Sequence, residues 1–234
     1  MELALFNQHG ILFLVRWLHV FAGLIWIGML YYFNFVQGSW FAETDASSKN
    51  SAISKLVPRA LWWFRWGAMW TFLLGWTYLL WRGHLDGHAI FKTSWGVTIL
   101  TGGLLGTFMW YNVWFVIWPN QKVVIENAQS VLAGKPANPD AASAGARAGV
   151  ASRTNTLFSI PMLFGMVAAR HLPLAVDPET YRFGLYFGLL ALILLALEAN
   201  ALKGKTGPMT TVKGVLASGF GLCAVLYALM EIAR

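Results

Sequence analysis

Residues 16–37 read Arg-Trp-Leu-His-Val-Phe-Ala-Gly-Leu-Ile-Trp-Ile-Gly-Met-Leu-Tyr-Tyr-Phe-Asn-Phe-Val-Gln. At roughly 1.5 Å of rise per residue, this apolar run can cross a hydrocarbon core of about 30 Å as a helix. It also carries polar groups that a plain anchor would avoid. Arg16 and His19 are three apart and share one helical face; Gly23 follows His19 by four, one turn deeper. A cation, an imidazole and a flat gap thus fall in one stripe, and a planar macrocycle needs such a gap to lie close to a helix. Asn34 and Gln37 place amides at the far end. An ionisable residue inside a span is a functional hypothesis by default.

The rest of the chain has the same character. Of its 234 residues, 57% are hydrophobic and 12% charged, against about 25% charged in soluble domains. The fold class that follows is all-α: a single integral membrane domain, 1–234, built as a polytopic helix bundle. The net charge of +7 does not point to nucleic acid, because the basic residues are spread over the connections between helices, where they signal topology. Cys223 is the only cysteine, and no Cys-x-x-Cys-His occurs, so no covalent c-type haem is expected in this chain. The first ten residues lack a signal-peptide pattern, so the first helix is expected to be retained.

Six membrane helices are predicted, at about 11–36, 58–81, 94–118, 154–171, 181–202 and 211–232. Ser39–Val57 reads as a polar connection and Arg82–Thr93 as a loop. Pro119 is expected to stop the third helix and Pro161 to kink the fourth. Gly102, Gly103 and Gly106 permit close helix packing. Lys122–Ala133 suits a short amphipathic helix, while Lys135–Gly149, rich in Ala, Gly and Pro, reads as a mobile loop. No convincing repeat is visible.

An even number of spans puts both termini on one side. Lys49, Lys55, Arg59, Arg65, Lys122, Lys135, Arg147, Arg153, Lys203, Lys205 and Lys213 fall on the other side, against Arg16, Arg82, Lys92, Arg170, Arg182 and Arg234, a split of eleven to six. The positive-inside rule then places both termini on the periplasmic side of a bacterial inner membrane. All five histidines gather at that outer face. Imidazole is a common axial ligand for haem iron and a ligand for other metals. His19, with Arg16 and Gly23 beside it, is the foremost candidate, and Arg16 suits either a haem propionate or lipid headgroups. His171 is the best second ligand by topology. His84 and His88, four apart, would chelate a metal on a helix, but Gly83 and Gly87 argue for a loop. For His9, simple solvation suffices.

A second cluster belongs to the cytoplasmic face. Asn34 ends the first helix; Asn112, Asn120 and Gln121 end the third; Arg153 and Asn155 begin the fourth. Amides and guanidinia pair with the edge of a planar anionic heterocycle while Trp or Tyr covers its face. An ordinary membrane interface, with its Trp belt and cytoplasmic arginines, accounts for the same residues without a site.

Four blocks carry a family resemblance: Arg-Trp-Leu-His-x6-Trp-Ile-Gly-x2-Tyr-Tyr-Phe-Asn-Phe-Val-Gln (16–37), Arg-Ala-Leu-Trp-Trp-Phe-Arg-Trp (59–66), Asn-Val-Trp-Phe-Val-Ile-Trp-Pro-Asn-Gln-Lys (112–122) and Ser-Arg-Thr-Asn-Thr-Leu-x-Ser-Ile-Pro-Met-Leu-Phe (152–164). Together they resemble the membrane domain of the cytochrome-c-linked urate oxidase (urate hydroxylase) family. The Leu-His and Trp-x-Gly pattern of the first helix also resembles, more weakly, membrane haem-b proteins of the protoporphyrinogen-oxidase and copper-resistance type. Members of the urate family have more membrane helices and end in a c-type cytochrome domain, for which this chain has neither the length nor the attachment motif.

The resemblance implies a membrane oxidoreductase or electron-transfer subunit. Haem b would sit near His19. Urate or another planar substrate would bind at Asn34, Asn112, Gln121, Arg153 and Asn155. Electrons would leave to a separate cytochrome c or another outer-face carrier. The alternative is a non-catalytic structural or accessory subunit of a larger membrane complex, or a homo-oligomer, packing its aromatic helices against partners and lipid.

Overall fold

The computed structural model describes residues 3–234. Among these residues there are seven helices and no strand: α1 (Gln8–Glu43), α2 (Ala46–Lys55), α3 (Val57–Asp86), α4 (Ser94–Leu132), α5 (Ala141–His171), α6 (Phe183–Lys203) and α7 (Val212–Ile232). The all-α bundle is as expected. Four helices, α1, α4, α6 and α7, are long and apolar enough to cross a membrane, as in an integral membrane protein. The helices α3 and α5 are as long but more polar.

Helices α1 and α3 pack antiparallel: His19 and Gly23 lie opposite Thr71 and Gly75, and Trp26 opposite Gly67. A Cβ on Gly67 would stand 3.1 Å from the Trp26 backbone nitrogen, so glycine is what lets the two backbones meet. Helices α4 and α5 make the second close pair. There a Cβ on Gly165 would lie 2.9 Å from the Thr98 carbonyl oxygen, and one on Gly102 would lie 3.2 Å from that of Met162. Of the three glycines expected to serve α4, only Gly102 is used in this way; Gly106 has open space around it.

Helix α5 is central, meeting α1, α4, α6 and α7. Pro161 sits inside it without ending it. Its missing N–H leaves the Leu157 carbonyl without the usual partner. Gly219 of α7 packs at that point, where a Cβ would lie 3.2 Å from the Leu157 oxygen.

Four expectations need correction. Pro119 does not stop its helix: α4 runs through it to Leu132, absorbing the separate helix expected at Lys122–Ala133. A π-helical segment, Asn112–Ile117, precedes the proline, and Trp118 N–H donates to the Val113 carbonyl five residues back. That wider turn accommodates the proline ring, which would clash with a carbonyl in a regular α-helix. Helix α1 has its own π segment at Tyr32–Gln37, with Gly38 N–H donating to the Phe33 carbonyl, and then continues to Glu43.

The stretch expected to be a mobile loop, Lys135–Gly149, is helical from Ala141. Alanine is the best helix former, and Ala144, Ala148 and Ala151 recur at helical spacing as a buried small-residue stripe. Arg147 Nε donates to Asn120 Oδ1 at 3.0 Å, tying this early part of α5 to α4. The polar connection after the first helix contains α2, whose N-terminus is capped by Asp45 accepting from Ser48 N–H at 2.9 Å. Finally, α3 extends to Asp86, into the Arg82–Thr93 stretch expected to be a loop. An Arg82–Asp86 ion pair of 2.7 Å supports its last turn, and the Phe91 ring lies against Gly83. Gly87, at φ 79°, ends it.

Candidate functional site

Ser152, Asn155, Thr156 and Ser159 recur at intervals of three and four, so they form one polar stripe along α5. The two π segments meet this stripe from either side. From α1, Asn34 Nδ2 donates to Ser152 Oγ at 2.8 Å and to its own helix at Leu30 O at 2.9 Å. Also from α1, Tyr31 Oη and Ser159 Oγ are 2.9 Å apart. The Ser159 hydroxyl proton is given to Thr156 O at 2.7 Å, so Tyr31 is the donor of that pair.

From α4, Asn112 Nδ2 donates to Asn155 Oδ1 and to Glu198 Oε2 of α6, both at 3.0 Å. Asn155 Nδ2 donates to Met109 O at 2.9 Å. This second network is sealed: Asn112 and Asn155 are 0% exposed and Glu198 is 6% exposed. Two of its acceptors, Asn112 Oδ1 and Glu198 Oε1, are buried without a donor.

Sequence reasoning placed Asn34, Asn112, Gln121, Arg153 and Asn155 together. The structure divides them. Asn34 belongs to the α1–α5 contact, while Asn112 and Asn155 belong to the α4–α5–α6 contact. Gln121 is half-buried and joins neither network. Arg153 is half-buried beside Ser152, and its Nη1 is buried without a partner. The Gln37 side-chain oxygen Oε1, one turn beyond Asn34, is likewise buried and unpaired. An unused donor and an unused acceptor therefore stand on the two helices that Asn34 and Ser152 join.

Glu198 is the residue that sequence reasoning left out of the cluster. The signal was available, since it is the only acid in the apolar run of α6. Arg65 is committed elsewhere: its guanidinium lies 3.5 Å from the Trp118 ring centroid.

At the other end of the bundle, His19 Nδ1 is 2.8 Å from the Thr71 carbonyl oxygen and the ring packs on Gly75. A protonated Nδ1 held by a backbone carbonyl leaves Nε2 as the free nitrogen, the arrangement typical of metal-bound histidine. The gap at Gly23 is taken up by α3, since a Cβ there would meet Thr71 Cγ2 at 3.8 Å. Arg16 is exposed, with its guanidinium 5.7 Å from the Tyr78 ring centroid. His171 is exposed at the end of α5, next to Leu172 and Pro173, on the helix that makes its close pair with α4. His84 and His88 are exposed on either side of Gly87 and share no continuous helix. Among the described residues no group of three His, Cys, Asp or Glu side chains could hold a metal ion. An apolar groove of about 610 Å³ lies between α1 and α3, lined by Trp62, Trp66, Trp70 and Phe21, away from both polar networks.

Comparison with protein families adds one finding. Residues 84–197 match the family described as Urate oxidase N-terminal. The matched segment runs from the end of α3 through α4 and α5 into α6. It contains Asn112, Gln121, Arg153, Asn155, His84, His88 and His171; it does not contain Arg16, His19, Gly23, Asn34 or Glu198. Neither curated proteins nor solved structures give a match.

Proposed function

We propose that the chain is the membrane-embedded part of a urate-oxidase-related oxidoreductase, with a site for a planar anionic heterocycle, urate foremost, at the cytoplasmic end of the α1–α5 contact. The similarity of residues 84–197 to the urate oxidase N-terminal family supports this reading. The observation that carries it is the unpaired, buried Nη1 of Arg153, one residue from the Ser152 hydroxyl held by Asn34. A guanidinium suits a planar oxyanion, and the unpaired Gln37 Oε1 suits a ring N–H. In this reading Asn112 and Asn155 position α4 against α5, because their donors are spent on each other, on Glu198 and on Met109 O.

Haem b is the cofactor that the chemistry of His19 suits, with Nε2 as the free nitrogen and Nδ1 held by Thr71. Bound there, it would supply a one-electron relay. Two electrons withdrawn from the substrate would leave one at a time, to two molecules of a separate one-electron carrier such as cytochrome c at the outer face. The eleven-to-six division of basic residues supports periplasmic termini in a bacterial inner membrane. An accessory, non-catalytic subunit is the second reading. The mutual pairing of Asn112, Asn155 and Glu198 favours it, because side chains that pair with one another fix a bundle without needing a ligand.

One experiment separates the two. Under the substrate reading, Arg153→Ala weakens urate binding at least about tenfold, roughly 1.4 kcal/mol, with little change in melting temperature. Under the accessory reading the variant loses stability and shows no urate dependence. Wild-type protein that binds no urate at millimolar concentration removes urate as substrate.

A further inference from the structure

The cluster around Asn112 is short of donors. Asn112 spends its N–H groups on Asn155 and Glu198, and Asn155 donates to Met109. What remains is acceptors: Asn112 Oδ1 and Glu198 Oε1, both buried and both without a donor. They belong to side chains already joined at 3.0 Å, so they face the same small region between α4, α5 and α6. A buried acceptor left unpaired costs free energy, and a carboxylate in an apolar interior costs more unless a cation or a proton neutralises it.

No cation does so. On α6 itself the nearest is Lys203, at the helix end. The charged groups of α5 are Arg147, Arg153, Arg170 and the titratable His171; those of α4 are Lys122 and Glu126, with the phenol of Tyr111; those of α7 are Lys213 and Glu231, with Tyr227 and Cys223. None pairs with Glu198. The ion pairs among the described residues are Arg82–Asp86 and Glu231–Arg234. The remaining neutraliser is a proton.

We propose that Glu198 is a proton-exchange site inside the bundle, taking up and releasing a proton at Oε1 while Asn112 holds Oε2. The proton on Oε1 gives the cluster the donor it lacks. Glu198 lies five residues before Lys203, roughly 7 Å along the axis from the end of α6, so exchange with water runs through that end. The proposal concerns this carboxyl alone and holds whatever the substrate is.

The test is infrared difference spectroscopy of the whole protein in nanodiscs, on stepping the pH up and back. The expected result is a reversible protonated-carboxyl C=O band that shifts in D₂O and is lost in Glu198→Gln. In Asn112→Leu, which keeps the carboxyl but removes the donor to Oε2, the band remains at a changed frequency. If wild-type protein shows no reversible band, or if the band survives in Glu198→Gln, the proposal is overturned. Should Glu198→Gln fail to accumulate, Asn112→Leu decides: a displaced band supports the assignment to Glu198, and an unchanged one overturns it. Urate binding plays no part in this readout, so its outcome and that of the substrate reading are separate.

Discussion

Asn112 and Asn155 meet amide to amide at 3.0 Å across the α4–α5 interface, with neither side chain exposed to solvent. In an apolar interior each such group must find a partner or lose about 1–3 kcal/mol. The pair therefore fixes the register of the two helices as well as holding them together.

Replacing Asn155 by Leu strands one Asn112 side-chain N–H, and unfolding measured in detergent should show a loss of about 1–3 kcal/mol. Asn112→Leu combined with Asn155→Leu should lose less than the sum of the two. The coupling expected from a double-mutant cycle is about 0.5–2 kcal/mol. Strict additivity would mean that the pair contributes nothing as a unit.

Gly165 and Gly106 should respond in opposite directions. A methyl group at Gly165 would press on backbone atoms of Thr98 and Gly102, which cannot swing aside, so Gly165→Ala should cost about 1–3 kcal/mol. Gly106→Ala meets open space and should gain about 0.4–1 kcal/mol through reduced freedom of the unfolded chain. Equal melting temperatures for the two variants would contradict this account of the α4–α5 contact.

His19→Ala should abolish the absorbance spectrum of the proposed haem while the protein still accumulates in the membrane. His171→Ala should leave that spectrum in place, since His171 belongs to the other helix pair. Full haem occupancy in the His19 variant would remove His19 as the ligand.

Tyr181 lies outside the spanning helices, just before α6, and donates to Met230 O at 3.1 Å. Burial, aided by the charge of Glu231, pushes its phenol up to about 12 from an ordinary 10.0. The neutral phenol is the form that folding favours. Its contribution is fully present below pH 10 and is lost as the pH rises through about 12. The stability deficit of Tyr181→Phe, followed by thermal unfolding, should hold steady below pH 10 and shrink above it. A deficit independent of pH over that range would exclude the linkage.

The helix bundle was legible because a run such as 16–37 has one stable form in lipid, and hydropathy reports it directly. What escaped was helix extending beyond the apolar runs. Hydropathy does not distinguish Ala141–Gly149 as helix or loop; its alanine stripe acquires meaning only with α4 alongside. Pro119 misled because the rule for proline assumes regular α-helical turns, and the π segment before it changes the local geometry. At the site, the amides of Asn112 and Asn155 were visible in sequence but their partners were not. Hydrogen-bond pairing between helices depends on rotation about each axis, which spacing along one chain does not specify. Glu198 was visible too, as a lone acid in an apolar run, and it was the general rule for such residues that should have drawn it into the cluster.

The two π segments also store phase. Each holds one residue more than an α-helical path of the same rise, so everything beyond it is rotated by about 100° relative to an uninterrupted helix. Beyond the segment in α4, that rotation sets which side of Lys122–Leu132 meets α2 and the start of α5. Deleting one residue between Asn112 and Ile117 would therefore restore regular α-helix while leaving everything beyond it in its present phase. Straightening the segment with every residue kept would instead slip the gear by one tooth: the spanning half of α4 would stay in mesh with α5, while the buried Ile125 and Ala128 beyond it would turn away from their partners.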